Sequence, residues 1–339
     1  MLTIDGSFGE GGGQILRTSL ALSLVTGKAF KLINLRANRT NPGLQQQHLT
    51  AVRAAATISD ATVEGDARSS QTLVFEPGKV TPGTYEFDIG TAGSTTLVFQ
   101  TILPPLMLCS EKSKLTFTGG THNPHAPPFD YTNETYAPTL ELFGPVVKLE
   151  LGRLGFYPPG GGMFSAVINP VEKLKTVELI RRGKILRRSA RSLLVRLSQR
   201  IGQKELDYVR NNMPDWGGGE LRLDISDNAI SSGNALTIQF ECEYVTETFT
   251  AVGTRGLPAE KVAENAVGYA RRYVESTGAV GEFLADQILI PFAMAGTGSY
   301  TADLISTHTE TNIETVEKFL DVKITVTDEG THHRVDVRS

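Results

Sequence analysis

The stretch GEGGGQILRTSLALSLVTG, from Gly9 to Gly27, decides the fold of this 339-residue chain, because its pattern occurs twice more. Gly90 to Cys109 reads GTAGSTTLVFQTILPPLMLC, and Gly278 to Gly296 reads GAVGEFLADQILIPFAMAG. In each stretch a glycine-bearing turn leads into an apolar segment of helical length. Repetition of one supersecondary unit is a strong indication of architecture. The sequence therefore predicts three related units.

A strand, a polar loop and a second amphipathic helix follow each apolar segment. The second helices are expected in LQQQHLTAVRAAATIS from Leu44, DYTNETYAPTLELFG from Asp130 and TNIETVEKFL from Thr311, each followed by a further strand. Thr311 and Asn312 are expected to cap the third of these helices, which places His308 on the preceding loop. We therefore predict an α+β fold in which three tandem βαβα-type repeats form one large domain.

The spacing of the units predicts an insertion. The third unit begins more than twice as far from the second as the second begins from the first. We assign residues 1–180 and 277–339 to the large domain and residues 181–276 to a smaller inserted α+β domain. In the insertion we expect helices in SARSLLVRLSQRIGQKELDYVRNN and AEKVAENAVGYARRYVES. Its expected strands are LRLDIS, ALTIQFECEY and TFTAVGT, the first two facing each other across the turn DNAISSGN.

Composition indicates a globular protein outside the membrane. The chain is 40% hydrophobic and 21% charged, enough to bury one large core or two ordinary ones. Its longest apolar run, Thr95 to Cys109, is interrupted by Gln100 and by Pro104-Pro105, and is too short to span a bilayer. The chain enters a short strand directly after Met1, so no signal peptide is expected there.

The cysteines and the charge restrict the location and the partners. Cys109 and Cys242 stand far apart in apolar or strand-like surroundings, as expected of buried thiols in a reducing compartment such as a cytoplasm. They form neither a metal-ligand spacing nor a disulfide framework. The formal net charge of −4 argues against a nucleic-acid-binding field over the whole surface, but allows a local basic site.

The first glycine turn resembles an anion site, because free backbone N–H groups at a helix N-terminus favour phosphate. It lacks the Gly-Lys-Ser/Thr of a P-loop and the glycine spacing of a dinucleotide fingerprint. The alternative is a tight turn packed against a neighbouring strand. Glu10, Gln14 and Arg17 favour the anion site, since Gln14 and Arg17 share one helix face. A carboxylate for a divalent cation beside an arginine for phosphate would suit phosphoryl transfer.

A second polar cluster lies in LRANRTNPGLQQQH. Arg36 and Arg39 follow a strand, and Gln47 and His48 begin the next helix. These side chains could form a solvated rim, and His48 could serve helix packing. The turn Asn41-Pro42-Gly43 would instead fold all four back toward the glycine loop.

The remaining polar residues differ in how strongly they indicate a functional role. A lone loop histidine such as His308 is usually an exposed surface residue. His122 and His125 are expected to be ordinary loop histidines, because no carboxylate or thiol accompanies them as a metal ligand. His332-His333 is expected in an exposed tail. Asp286 lies within the apolar FLADQILIPFA, where a carboxylate is costly to bury without a partner.

Seven motifs in order resemble one family, the RNA 3′-terminal phosphate cyclases. They are GEGGGQILR, RANRTNPGLQQQHLTAV, GTAGSTTLVFQTILPPL, GGTHNPHAPP, GFYPPGGG, FLADQILIPFA and THTETN. The resemblance covers Ile4 to about Val326. One departure is Leu154, which stands before Gly155 where a basic residue is expected. The resemblance implies three repeats, similar to the units of enolpyruvyl transferases, interrupted by an inserted α+β domain.

The resemblance also implies a reaction. His308 would attack the α-phosphorus of ATP, release pyrophosphate and become adenylylated. The AMP would pass to an RNA 3′-phosphate, and the adjacent 2′-hydroxyl would close a 2′,3′-cyclic phosphate. ATP and RNA with a 3′-terminal phosphate are the implied partners, with no membrane and a possible homodimer.

The resemblance assigns roles residue by residue. Glu10 would hold Mg²⁺ or Mn²⁺. The implied ATP contacts are Gln100, Pro127, Phe283, Leu284, Ala285, Asp286 and Gln287, with Phe283 and Pro127 on the faces of adenine. The implied residues for the phosphates and the RNA end are Gln14, Arg17, Arg36, Arg39, Gln47 and His48. The alternative function is that of a non-catalytic, cyclase-like ribosome-biogenesis protein.

Overall fold

The computed structural model describes all residues from Met1 to Ser339. Its helices are α1 (Gln14–Thr26), α2 (Gln46–Ser59), α3 (Thr95–Leu106), α4 (Phe129–Tyr131), α5 (Ala137–Leu140), α6 (Gln199–Asn212), α7 (Ala259–Glu275), α8 (Glu282–Ala295) and α9 (Thr307–Phe319). A π-helical turn (Thr132–Tyr136) joins α4 to α5, and a 3₁₀ turn (Glu141–Phe143) follows α5. The strands are β1 (Leu2–Asp5), β2 (Phe30–Ile33), β3 (Thr62–Glu64), β4 (Leu73–Glu76), β5 (Thr84–Asp88), β6 (Ser113–Gly119), β7 (Val146–Arg153), β8 (Gly162–Asn169), β9 (Val177–Leu179), β10 (Ile185–Val195), β11 (Glu220–Ser226), β12 (Gly233–Cys242), β13 (Thr246–Val252), β14 (Thr297–Ala302), β15 (Lys323–Asp328) and β16 (His333–Arg338).

Three four-stranded sheets repeat one topology. Their strand orders are β1-β2-β4-β3, β5-β6-β8-β7 and β9-β14-β16-β15. In each sheet the first two strands are parallel and the other pairings are antiparallel. The prediction of an α+β fold with three repeats is therefore confirmed. Each repeat also carries a fourth strand, which the βαβα pattern did not include.

The fourth strand of the third repeat corrects the prediction of an exposed histidine tail. His333 begins β16, which lies between β14 and β15. Val335 and Val337 alternate with polar residues and are fully buried. Because alternate side chains of a strand point to opposite faces, these valines cover the core while their neighbours face outward.

Between β9 and α8 the chain forms a separate sheet with the order β11-β10-β12-β13. The predicted helix beginning SARSLLV is wrong in its first half, because that run belongs to β10. A short aliphatic run suits a helix or a strand, and here hydrogen bonding to β11 and β12 on both sides decides for the strand. For the same reason LRLDIS and ALTIQFECEY do not face each other, since β10 separates them.

The start of α9 also differs from the prediction. The helix begins at Thr307 and not after Thr311, so His308 lies in its first turn. Ser306 is the N-cap, and its hydroxyl accepts a hydrogen bond from the Thr309 N–H at 3.3 Å. Thr311 and Asn312 are buried inside the helix. A hydroxyl residue just before the polar run THTETN thus takes the capping position.

The hydrophobic residues form two main cores. The larger core joins the three repeat sheets to α1, α2, α3, α8 and α9. The smaller core joins β10, β12 and β13 to α6 and α7. Helix α1 is buried from Gln14 to Leu24 apart from Arg17, as expected for a central helix. The domain bounds at 180/181 and 276/277 stay a prediction.

A third, small apolar cluster lies where the two parts of the chain meet. Leu154 and Phe156 pack there against Leu193, Val195 and residues of the β11–β12 connection. Leu154, the departure from the family pattern, is therefore a buried contact. No helix has the length and apolarity that crossing a bilayer would require.

Candidate functional site

A cavity of about 530 Å³ lies between the helices of the large core and the inserted sheet. Helices α1, α3, α8 and α9 form one side, and β13 and α7 form the other. The sequence-predicted residues that line it are Gln14, Arg17, Gln100, Pro127, Phe283, Asp286, Gln287 and His308. Four separate helices thus bring most of the predicted nucleotide contacts and the predicted nucleophile to one space.

His308 is held at one ring nitrogen. Its Nδ1 lies 2.5 Å from the Gln14 side-chain oxygen, and the Gln14 amide nitrogen donates to the Asp286 carboxylate. Because an amide oxygen can only accept, Nδ1 must carry the proton and donate. When the ring is neutral, its lone pair is therefore on Nε2. This tautomer is the one that a nucleophile acting through Nε2 requires.

Asp286 anchors this chain of hydrogen bonds. The Asn312 amide donates to its carboxylate at 2.9 Å and to its backbone carbonyl at 3.1 Å. Thr18 donates in turn to the Asn312 oxygen at 2.6 Å. Burial raises the pKa of Asp286, whereas His308, Gln14 and the charge of Arg17 oppose that rise. The buried carboxylate that the sequence flagged as costly therefore has polar partners on two helices.

The two glutamines of the cavity bind each other, because Gln100 donates to the Gln287 side-chain oxygen at 2.5 Å. Pro127 lies on the loop after β6, where its carbonyl accepts from the Thr96 hydroxyl at 2.6 Å. Phe283 is 38% exposed, which is unusual for a phenylalanine beside a core. Its ring is available to a ligand in the cavity.

Two predicted nucleotide contacts lie elsewhere. Leu284 and Ala285 are fully buried in the large core and do not line the cavity. Helical geometry explains this, because residues adjacent in sequence point about 100° apart, so Phe283, Asp286 and Gln287 cannot share a face with both of them.

A second polar cluster adjoins the cavity at the glycine loop. Arg39 forms an ion pair with the Glu10 carboxylate and also donates to the Glu10 carbonyl at 2.8 Å. Any Cβ on Gly13 would lie 2.6 Å from His48 Nε2 and 2.7 Å from an Arg17 nitrogen, so only glycine allows both to approach. The predicted folding of this segment back toward the glycine loop is confirmed for Arg39 and His48.

Burial changes the protonation of this cluster. Burial, together with the charges of Arg17 and Arg36, lowers the pKa of His48 to about 3. Burial also lowers the pKa of Arg17 to about 10, which leaves it cationic at neutral pH. His48 accepts from the Gln45 backbone N–H through Nδ1 at 3.1 Å. A neutral His48 therefore presents Nε2–H next to a cationic Arg17.

Arg36 and Gln47, like Glu10, Arg39 and His48, lie outside the cavity lining. Arg36 is half-buried and donates to the carbonyls of Asn41 and Gly43 at 2.9 and 3.2 Å. Gln47 accepts from the Ser94 N–H at 2.7 Å, which fixes the turn before α3. Arg36 lies in the same loop as Arg39, whereas Gln47 lies in the first turn of α2.

The fit of a divalent cation can be tested at Glu10. Its Oε2 is buried and has no hydrogen-bond partner. No group of three or more His, Cys, Asp or Glu side chains converges anywhere in the protein. Mg²⁺ is commonly held by one or two carboxylates with waters and substrate phosphates, so a single free carboxylate oxygen fits it.

The other histidines separate into two kinds. His122 is fully buried, and its Nε2 lies 3.2 Å from the Asp130 carboxylate, so it is a core residue of the loop after β6. His125 is exposed and lines the cavity.

Several cavity residues were missed at the sequence level. Asn312 stands four positions after His308, which would have placed both on one helix face had the start of α9 been correctly predicted. The inserted part of the chain also contributes a wall that includes Thr248, Thr250, Asn265 and Tyr269. No local pattern predicts that wall, because it depends on how the two parts of the molecule pack.

The chain is similar to known proteins along nearly its whole length. A family model described as RNA 3′-terminal phosphate cyclase matches residues 8–326. A protein of that name from Koribacter versatilis is 50% identical over 335 residues, 99% of this chain and 94% of the relative. One from Ralstonia nicotianae is 45% identical, covering 96% of this chain and 93% of the relative. One from Salmonella typhimurium is 43% identical, with 95% and 94% covered.

Proposed function

Because this chain belongs to the RNA 3′-terminal phosphate cyclase family, we propose that it converts an RNA 3′-phosphate into a 2′,3′-cyclic phosphate. ATP is the co-substrate, and AMP and pyrophosphate are the products. His308 carries the AMP between the two substrates. The two free thiols, Cys109 and Cys242, support a cytoplasmic location.

The observation that carries this proposal is the chain of hydrogen bonds from Asp286 through Gln14 to His308 Nδ1. It orients the imidazole and keeps the lone pair on Nε2, in a cavity large enough for a nucleotide. Activation of a nucleophile by a positioned partner is the general requirement of covalent catalysis.

Three transfers follow. His308 Nε2 attacks the α-phosphorus of ATP, and the bond to the pyrophosphate oxygen breaks. An oxygen of the RNA 3′-phosphate then attacks the same phosphorus, and the P–N bond breaks as Nε2 leaves. Finally the neighbouring 2′-hydroxyl attacks the RNA phosphorus, loses its proton to solvent and displaces AMP. The histidine thus divides one difficult activation into two smaller ones.

Different residues around His308 would contact different parts of the ATP. Phe283 and Pro127 would face the adenine, and Gln100, Asp286 and Gln287 would meet polar edges of the nucleoside. Glu10 would hold Mg²⁺ or Mn²⁺ through its free Oε2. When bound, the cation would offset negative charge that develops on the phosphates.

The cluster beside the glycine loop would receive the phosphates and the RNA end. Arg17, Arg36 and Arg39 supply positive charge, and His48 supplies an N–H donor. Because the net charge of the whole chain is −4, we expect contact with the terminal nucleotides and not with a long RNA tract. The affinity should therefore decrease with salt and depend little on sequence.

Covalent labelling tests the proposal. The protein is incubated with α-³²P-labelled ATP and Mg²⁺, denatured, and analysed for protein-bound label. We expect acid-labile, alkali-stable label on the wild type and none on His308→Ala, since a phosphoramidate has that stability. His125→Ala is the matched control, because His125 lines the same cavity but lies outside the chain of hydrogen bonds.

Absence of label on folded wild-type protein that binds ATP would overturn the proposal. It would favour the alternative, a non-catalytic cyclase-like protein. Label that persists in His308→Ala but disappears in His125→Ala would move the nucleophile to His125.

A further inference from the structure

Tyr269 gives the inserted part of the chain a direct connection to the cavity. It lies on α7 and lines the cavity opposite α8. Its ring meets the Phe283 ring edge to face, with centroids 4.9 Å apart and an interplanar angle of 74°. Phe283 is otherwise one of the exposed large apolar side chains. Tyr269 is therefore the aromatic partner that limits where the Phe283 ring can point.

Charged groups hold α7 against the first turn of α8. The Arg272 guanidinium lies 5.7 Å from the centre of the Tyr269 ring. The same guanidinium forms ion pairs with Glu282, the residue before Phe283, and with Asp303 at 3.4 Å. The Asp303 side chain is fully buried, so it provides a fixed anchor. These contacts set the position of Tyr269 relative to Phe283.

We propose that Tyr269 is a positioning residue for nucleotide binding, which acts by holding the Phe283 ring in the orientation that receives the base. The inference rests on the proposed function, in which Phe283 faces adenine. An edge-to-face pair confines one ring while leaving its other face free for stacking. The Tyr269 hydroxyl makes no hydrogen bond within the protein, so the ring is the part that acts.

The test separates nucleotide binding from the later transfer. KM for ATP and kcat are measured for multiple-turnover RNA cyclisation, and transfer of AMP to an RNA 3′-phosphate is measured separately from enzyme that is already adenylylated. For Tyr269→Leu we expect KM to rise about five- to tenfold, from loss of one aromatic pair, with a small change in kcat. The transfer rate should be unchanged, because the base is then already in place through the covalent bond. Tyr269→Phe should behave as wild type.

Two controls keep the test decisive. Tyr208→Leu removes a partly buried tyrosine that packs against the smaller core without lining the cavity, so it reports general damage to that core. Binding of α,β-methylene-ATP by calorimetry gives an affinity that does not require chemistry. In a Phe283→Leu background, Tyr269→Leu should add little further loss, because the ring that it positions is gone.

Each contrary result has a defined meaning. An unchanged KM and affinity in Tyr269→Leu would overturn the inference. An equal loss in Tyr269→Phe, or an undiminished loss in the Phe283→Leu background, would show that Tyr269 contacts the nucleotide itself and would also overturn it. Absence of adenylylation in the wild type would instead contradict the proposed function.

Discussion

His308 and His48 are both held through Nδ1, but the partners at that nitrogen differ. His308 Nδ1 donates to a side-chain oxygen of Gln14, whereas His48 Nδ1 accepts from the Gln45 backbone N–H. The two imidazoles therefore have opposite tautomers, with a lone pair on Nε2 of His308 and a proton on Nε2 of His48. The first suits a nucleophile and the second suits a donor to phosphate. Local hydrogen bonding thus suits the two histidines to different tasks.

The burial of His48 leads to a prediction about pH and stability. Its pKa is about 3 in the folded protein, against an ordinary value of 6.5. Between these values the unfolded chain binds a proton that the folded protein does not, so stability falls as pH is lowered. When the pH is lowered from 7 to 5, the free energy of unfolding of the wild type should fall by about 2 kcal/mol more than that of His48→Gln. Urea unfolding of both proteins at pH 7 and at pH 5 measures the difference.

His125→Gln is the exposed counterpart for this experiment. If the stability difference between wild type and His48→Gln stays constant from pH 7 to pH 5, His48 does not resist protonation in the folded protein. The donor role at Nε2 would then lose its physical basis.

At the scale of elements, the first turn of α9 determines where His308 points. Ser306 caps this helix through its hydroxyl, whereas Ser198 stands before α6 without a side-chain cap hydrogen bond. Ser306→Ala should lower the free energy of unfolding by about 1 kcal/mol, because a backbone N–H loses its acceptor. Ser198→Ala should change it by only a few tenths. Denaturant unfolding of both variants, with Ser306→Asp as a conservative replacement, measures the two costs.

Equal losses from the two serines would mean that the Ser306 hydroxyl does not stabilise the helix start. Retention of stability in Ser306→Asp is expected, since a carboxylate caps as well as a hydroxyl and also favours a helix N-terminus.

The elements themselves could be predicted where the local pattern was unambiguous. The three glycine turns with their apolar helices gave α1, α3 and α8 nearly to the residue. The segment from Ser189 to Asn212 failed because one continuous amphipathic pattern spans the end of β10 and all of α6. β16 was missed because charged residues alternate with only two valines in HRVDVR. In both cases sheet neighbours distant in sequence decide the structure, and no local window contains them.

In the candidate site, too, residues in local motifs could be predicted, and residues placed by distant packing could not. Residues near a recognisable motif, such as Glu10, Arg17 and Asp286, could be chosen from the sequence. Asn312 was lost through an error of a few residues at the start of α9. Tyr269 could not be found, because its importance depends on the packing of α7 against α8.

At the scale of the whole molecule, the cavity lies where the inserted sheet meets the repeats, so the contact between these parts matters for function. The buried Asp130 on α4 forms an ion pair with the partly exposed Arg191 on β10 and also contacts His122. Although burial opposes ionisation, the hydrogen bond from His122 and the charge of Arg191 lower the pKa of Asp130 overall. The carboxylate is therefore charged in a site with little water.

The same strand carries an exposed arginine that makes a matched comparison possible. Arg187 pairs with Glu220 and Glu241 at the surface, with more than half of its side chain exposed. Arg191→Met should lower the free energy of unfolding by about 3 kcal/mol, because it leaves a buried carboxylate without its cation. Arg187→Met should cost much less than Arg191→Met, because water solvates the carboxylates that remain. Urea titration of both variants measures the contrast.

The cause of the larger loss can be isolated by removing the charge that it leaves behind. The double variant Asp130→Asn with Arg191→Met removes the buried Asp130 carboxylate that the single change leaves without its cation, so part of the lost stability should return. A double variant no more stable than Arg191→Met alone would mean that lost packing of the arginine side chain, and not an uncompensated charge, accounts for the cost. The Arg191 side chain would then stabilise the contact between α4 and β10 mainly by packing. The position of the inserted sheet beside the cavity would depend on the apolar contacts around Phe156 and Leu193.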